Sequence, residues 1–304
     1  MFIEVESITK YYKKFKAVDQ LSLTVQEGDI YGFLGPNGSG KSTTIRMILS
    51  LIKPTSGEIK LFGKAITSGK NMTLNRIGAL IEKPDFYNYL SAKKNLEILG
   101  KLSEVTPLKK RVDEVLDIVG LSDRGHSKVR TFSQGMKQRL GIAQTILHNP
   151  DLIILDEPTN GLDPQGQKEI RELILRLKEE RNITILISSH LLHEIELIAS
   201  RMIIINKGEA IIEGSVNGLL KESQQQVTIT VNNPEKTLQL INESDWANKM
   251  VSSAQEKFFF KISKDDIPAL NAYLAEKGSG IISIEPIRSL EDYFLQVTDN
   301  EKTN

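Results

Sequence analysis

The chain contains no cysteine. That excludes disulfides, thiolate metal sites and a cysteine nucleophile, and is in keeping with a cytosolic location. Net charge is also lacking. Lys plus Arg and Asp plus Glu stand at 39 each among 304 residues, so the charge balance points to no nucleic-acid partner. The opening segment MFIEVESITK has no basic stretch followed by an apolar run, and we expect no secretory signal. No run reaches the roughly 18 apolar residues that a membrane-spanning helix needs. The longest, such as Leu152 to Leu155 and Met202 to Ile205, are of strand length. Internal repeats and long low-complexity segments are missing as well.

What is present suits one large domain and a small one. Alternating apolar positions over 2–33 (Phe2, Val5, Ile8, then Leu21, Leu23, Val25) predict antiparallel strands. Tyr31 to Leu34 is a short apolar strand running into a glycine-rich loop, and Thr43 to Leu51 reads as a helix. Residues 90–120 have helical spacing, and a further helix is expected from Ser133 to about His148. Asp151–Leu155 and Ile183–Ser188 read as buried parallel strands joined by a helix over Gln165–Glu180, a βαβ unit. The polar stretch Lys221 to Gln226 is the expected domain boundary. Beyond it, strands are expected at Val227–Val231, Phe258–Ile262 and Ile281–Ile284, and helices at Ile267–Glu276 and Ser289–Val297. These make a small α+β module with no chemical motif, in which Phe258, Phe259 and Phe260 read as strand core.

Gly35-Pro36-Asn37-Gly38-Ser39-Gly40-Lys41-Ser42-Thr43 satisfies the pattern G-x-x-x-x-G-K-[ST] between an expected strand and an expected helix. Glycines let the backbone wrap a phosphate without Cβ clashes, and loop N–H groups with the helix N-terminus favour negative charge. Lys41 would reach the β- and γ-phosphates and the Ser42 hydroxyl would ligate Mg²⁺. On its own the loop says only that a nucleoside triphosphate binds. Ile153 to Leu155 then leads into Asp156 and Glu157 at the end of an apolar strand. Asp156 could hold Mg²⁺ through water and Glu157 could orient or deprotonate an attacking water. An ordinary acidic turn before Pro158 would look the same.

The order of these segments resembles the ABC transporter ATPase family over roughly 1–220. It rests on the phosphate loop, on Phe132-Ser-Gln-Gly-Met-Lys-Gln138, on the strand and acids at 152–157, on Pro158-Thr-Asn-Gly-Leu-Asp163, and on His190 after Ile187-Ser-Ser. The resemblance implies an α/β fold: a P-loop ATPase with a parallel core sheet, an antiparallel β subdomain and a helical subdomain. The nucleotide-binding domain would cover 1–220 and a small C-terminal α+β accessory domain 227–304. Ser133 and Gly135 would belong to the signature loop, which binds the γ-phosphate of ATP held by the other subunit. Phe132, Gln134 and Met136 depart from that loop's usual form. Gly161-Leu162-Asp163 would be the D-loop and His190 the switch histidine. His126, His148 and His193 match nothing and read as surface or helix residues. Tyr12 matches the aromatic that stacks on adenine, although Tyr11 could serve instead.

Where the family has a glutamine that contacts Mg²⁺ and the attacking water, this chain has Glu82. Ionised glutamate accepts hydrogen bonds only and adds negative charge beside the metal. Ile81 to Tyr87 resembles the corresponding loop of lantibiotic-immunity and bacitracin-export ATPases, and Ser289-Leu-Glu-Asp-Tyr-Phe294 resembles their tail. The aromatic segment Phe86 to Leu90 matches the neighbourhood that grips a helix of the membrane subunit. The resemblance thus implies ATP hydrolysis with Mg²⁺, a homodimer or a paired ATPase subunit, and a separate integral-membrane permease. The chain would lie at the cytoplasmic face of the cell membrane and export a peptide antibiotic. The alternatives are an exporter ATPase for another cargo and a soluble ABC ATPase without a transport role.

Overall fold

The computed structural model describes residues 1–66, 72–223 and 226–286. The chain divides into two compact units, Met1–Glu213 and Gly214–Asn304. The division falls ahead of the polar stretch at 221–226, so the helix Val216–Ser223 goes with the second unit. The helix expected at Ser289–Val297, with the tail segment Ser289 to Phe294, lies outside the described residues.

In the first unit the chain runs β1 (Ile3–Tyr12), β2 (Phe15–Val25), β3 (Ile30–Leu34), α1 (Lys41–Ile48), β4 (Ser56–Leu61), β5 (Lys64–Ala65), β6 (Ile77–Leu80), α2 (Ala92–Leu102) and α3 (Leu108–Ile118). It continues through α4 (Gln134–Ile146), β7 (Leu152–Asp156), α5 (Pro164–Arg181), β8 (Thr184–Ser189), α6 (Leu192–Glu196), β9 (Arg201–Asn206) and β10 (Glu209–Ser215). One sheet has the order β2-β1-β4-β5, with β1 antiparallel to both β2 and β4. Its alternation turns Ile3, Val5, Leu21, Leu23 and Val25 inward, and a register shift between Val5 and Ile8 brings Ile8 inward as well.

The second sheet has the order β10-β9-β3-β8-β7-β6, parallel from β9 to β6. Strands β3, β7 and β8 are buried at every position. That is why they read as continuous apolar runs rather than as alternation. At the other edge, β9 and β10 are joined by Lys207 and Gly208, both at positive φ (48 and 88), the dihedral signature of a tight hairpin. Both sheets and α1 share one hydrophobic core. In it, Ile45, Met47 and Ile48 of α1 join Leu21 and Leu61 of the antiparallel sheet and Phe33, Ile154 and Ile203 of the parallel one. Helix α4 packs on β6 so closely that a Cβ on Gly78 would lie 2.0 Å from the Thr145 carbonyl oxygen.

The second unit contains α7 (Val216–Ser223), β11 (Gln226–Val231), α8 (Pro234–Asn242), β12 (Met250–Ala254), β13 (Lys257–Lys261), α9 (Ile267–Glu276) and β14 (Ile281–Pro286). Its sheet order is β12-β13-β11-β14 with antiparallel pairings, so β11 onward forms a βαββαβ ferredoxin-like arrangement. Phe258 and Phe260 join Val227, Ile229, Ile241, Leu270 and Leu274 in its core. Phe259 is buried too, but strand alternation places it on the opposite face.

Candidate functional site

In the order β3-β8-β7, three adjacent parallel strands end at the same edge of the sheet. The phosphate loop follows β3, His190 follows β8, and Glu157 follows β7. Such an edge is where open α/β sheets hold ligands. Helix α1 begins at Lys41, two residues earlier than the sequence pattern suggests. Its N-cap is Gly40 at φ 106, where a Cβ would also meet the Ala17 carbonyl oxygen at 2.7 Å. Only glycine suits that position. The helix has no side-chain cap, so no side chain competes with an anion for its first N–H groups.

Lys41 is 5% exposed. A buried ammonium needs partners. Nζ donates to the carbonyls of Gly35 (2.6 Å) and Pro36 (3.1 Å) and lies 3.3 Å from Glu157 Oε1. The other Glu157 oxygen, Oε2, is 2.5 Å from His190 Nδ1. One carboxylate thus spans Lys41 and His190. Asp156, 3% exposed, accepts a 2.5 Å hydrogen bond on Oδ1 from the Ser188 hydroxyl. The same Ser188 oxygen accepts from the Glu157 N–H at 3.0 Å. Glu157 sits at φ 51, a left-handed conformation that costs a non-glycine residue ~1–3 kcal/mol.

Two clefts flank this centre. One of about 380 Å³ is lined by Tyr12, Phe15, Asn37, Gly38, Lys41, Ser42, Thr43 and Glu157. Tyr12 and Phe15 are opposite each other across the β1–β2 hairpin and are 44% and 65% exposed. Tyr11 does not line the cleft; its ring lies 5.7 Å from Lys16 Nζ. The second cleft, about 540 Å³, is lined by Ser42, Glu82, Gln134, Lys137, Asp156 and Glu157 among others. Glu82 is 65% exposed and pairs with Arg46 of α1. Ser133 caps α4, accepting from the Met136 N–H at 3.2 Å, and a Cβ on Gly135 would meet nothing within 4 Å. Asp163 caps α5 by accepting from the Gly166 N–H at 3.1 Å.

The family model described as ABC transporter matches residues 18–160. An uncharacterized ABC transporter ATP-binding protein, YhcH of Bacillus subtilis, is 39% identical over 99% of this chain and 97% of its own length. The chain belongs to the ABC transporter ATP-binding family. A bacitracin transport ATP-binding protein of Bacillus licheniformis, BcrA, is 42% identical over 97% of this chain and 96% of its own. Among solved ABC cassettes, the dimeric post-hydrolysis state of MJ0796 bound to ADP and Pi is 27% identical, with a TM-score of 0.62 over 70% of this chain and 98% of that one. The CbiO1 subunit of Clostridium perfringens, part of the ABC transporter complex cbiONQ, is 26% identical with a TM-score of 0.67 over 80% of this chain and 95% of that one.

Within this ABC fold the phosphate loop, Asp156, Glu157 and His190 come together. Tyr12 stands in the cleft beside the loop, whereas Tyr11 does not. Of the unmatched histidines, His126 and His193 are exposed. His148 is half-buried just after α4, with Nε2 3.1 Å from the Ile77 carbonyl oxygen, and burial lowers its pKa. Sequence reading passed over Ser188, Phe15 and Arg46. Ser188 carried a signal only in being one of three polar residues, with Thr184 and Ser189, in a strand buried at every position. Phe15 and Arg46 become visible only when β1 meets β2 and α1 meets the turn after β6. The aromatic segment is built on α2: buried Asn95 accepts from the Tyr87 N–H (2.9 Å) and donates to the carbonyls of Tyr87 (3.2 Å) and Ser91 (2.9 Å). Tyr87 and Tyr89 remain 54% and 67% exposed, edge to face at 6.0 Å. No helix among the described residues is long and apolar enough to cross a membrane.

Proposed function

We propose that this chain is the ATP-hydrolysing subunit of an exporter, one half of a nucleotide-sandwich dimer that drives a separate integral-membrane permease from the cytoplasmic face of the cell membrane. The observation that carries the reading is the Glu157 carboxylate, held by Lys41 and His190 above the phosphate loop. ATP enters with its triphosphate against the loop N–H groups and the start of α1, and its adenine against Tyr12. The phosphates then take the Lys41 ammonium and displace Glu157 Oε1 from it. Glu157 keeps its contact with His190 through Oε2, and Oε1 is left to accept a proton from the attacking water. In the neutral ring with Nδ1 protonated, His190 Nε2 is an acceptor; in the imidazolium it is a donor suited to a γ-phosphate oxygen.

Ser42, Asp156 and, on its release from Arg46, Glu82 offer hydroxyl and carboxylate oxygens in one cleft, a donor set that fits Mg²⁺. Bound there, Mg²⁺ would neutralise charge on the β- and γ-phosphates. Among the described residues nothing lies within 4 Å of where a Cβ on Gly135 would stand. That open space leaves room for the close approach of a second chain's ATP, which supports head-to-tail pairing.

Similarity to a bacitracin transport ATP-binding protein over nearly the whole chain supports a peptide antibiotic, bacitracin or a lantibiotic, as cargo. The test is a Glu157→Gln substitution on the chromosome of the native host, with the purified variant assayed in parallel. We expect ATP binding to persist, hydrolysis to become very slow, and sensitivity to one such antibiotic to rise. Full hydrolysis by the variant overturns the role of Glu157. Slow hydrolysis with unchanged sensitivity to every compound removes the antibiotic cargo and leaves the ATPase.

A further inference from the structure

Asp156 and Glu157 are adjacent in sequence, but the structure makes them depend on a third residue from another strand. The β7–β8 register puts Asp156 opposite Ser188. Ser188 is 0% exposed, so its hydroxyl has no solvent to turn to. It has one proton, which it donates in the 2.5 Å hydrogen bond to Asp156 Oδ1, since an ionised carboxylate can only accept. Its oxygen is then left to accept the Glu157 N–H at 3.0 Å. The direction of both bonds is thus determined by chemistry and not by choice of rotamer.

Both acids are held as a result. Asp156 has Oδ1 committed to Ser188, which leaves Oδ2 directed by a held carboxyl plane. Glu157 has its backbone N–H tied to Ser188 in a left-handed conformation with φ 51. That anchored backbone sets the origin of the side chain whose carboxylate reaches Lys41 and His190. The next residue extends the arrangement. Ser189 Oγ accepts from the Leu191 N–H at 2.9 Å, bracing the turn that carries His190, and its carbonyl accepts from the Gly35 N–H at 3.3 Å.

We infer that Ser188 is a positioning residue for the hydrolytic centre, aiming the Glu157 carboxylate by holding its backbone and orienting Asp156 from the same oxygen atom. This rests on the ATPase reading above. Hydrogen-bond partners that orient the ligands of a metal site typically cost about 10- to 100-fold in metal affinity or activity when removed, and Asp156 is proposed above as such a ligand.

The experiment measures kcat, KM and the Kd of a fluorescent ATP analogue for the full chain and its variants Ser188→Ala, Ser188→Thr, Glu157→Gln and the Ser188→Ala/Glu157→Gln pair. The expected result is a kcat lowered about 10- to 100-fold in Ser188→Ala. Kd for the analogue should stay within about twofold, because the nucleotide contacts lie on the phosphate loop and Tyr12. Ser188→Thr, which returns the hydroxyl, should recover much of the rate. In the Glu157→Gln background, Ser188→Ala should cost less than in the wild type, since only Asp156 is then left for it to orient. Wild-type kcat in Ser188→Ala, or an equally large further loss in the double variant, overturns the inference. A loss of analogue binding in Ser188→Ala that Ser188→Thr does not restore also overturns it, since that marks a packing role. If Glu157→Gln itself turns over at the wild-type rate, the ATPase reading of Glu157 fails instead.

Discussion

At the scale of single residues, the site depends on where partners are found for groups that cannot be left alone. Lys41 is buried and therefore takes two loop carbonyls and a carboxylate. Lys41, Ser42, Asp156, Glu157 and His190 lie in short motifs that the sequence shows, and the fold gathers Lys41, Glu157 and His190 at one sheet edge. Ser188 was not legible, because a serine's role depends on what lies across the strand. The aromatic beside the phosphate loop shows the same limit: Tyr11 and Tyr12 are equivalent in sequence, and strand alternation separates them. We expect Tyr12→Ala to weaken ATP binding by about 1–3 kcal/mol, the usual worth of a base stacked on an aromatic ring. Tyr11→Ala should leave the affinity unchanged, and Phe15→Ala should have an intermediate effect. Titration with a fluorescent ATP analogue checks all three; an equal loss for Tyr11→Ala would refute the assignment.

At the scale of elements, helices hold the reactive termini in place. Asp163 caps α5 and Ser133 caps α4, each by accepting an N–H three residues on. Arg171 of α5 donates to Glu194 of α6 at 2.5 Å, so the helix that starts at the D-loop segment is tied to the helix that follows His190. Helix α4 is fastened at its far end as well. Arg111 of α3 donates to the carbonyls of Ile146 (2.5 Å) and Leu147 (3.0 Å), and His148 reaches Ile77 at the start of β6.

The His148 contact has a pH signature. Burial, the largest cause, lowers its pKa from 6.5, with the Arg111 charge acting in the same direction. A group whose folded pKa is depressed contributes stability above its unfolded value, and that stability is lost as pH falls toward the folded value. The melting temperature should therefore drop as pH is lowered below about 6.5. His148→Gln should flatten that part of the profile. A variant profile that overlays the wild type would show that the dependence arises elsewhere. Glu114 has its carboxyl held below the usual range by hydrogen bonds from Arg181 and Arg111, so its contribution is lost only at more acidic pH.

At the scale of the molecule, the phosphate loop and the signature segment are both present in one chain, and the proposed cycle uses them from two. Lys41→Ala and Ser133→Arg should each abolish hydrolysis alone. Mixed, they should restore part of the rate, because one of the two composite sites then combines an intact loop with an intact signature segment. No recovery on mixing would argue against head-to-tail pairing.

The α/β class and the place of the phosphate-loop motif between a strand and a helix could be read from the sequence alone, because buried parallel strands and glycine-rich loops leave short local patterns; β4, β10, α8 and β12 left no pattern that singled them out. Boundaries moved by a few residues, as with α1 starting at Lys41, where a left-handed glycine and not the apolar pattern begins the helix. Tertiary structure alone decided which partners those residues have. Sheet order sets Ser188 beside Asp156 and brings Glu157 between Lys41 and His190, and hairpin register places Phe15 with Tyr12. Hydrogen bonds between strands act at a few ångströms regardless of separation along the chain, and no local pattern in the sequence records them.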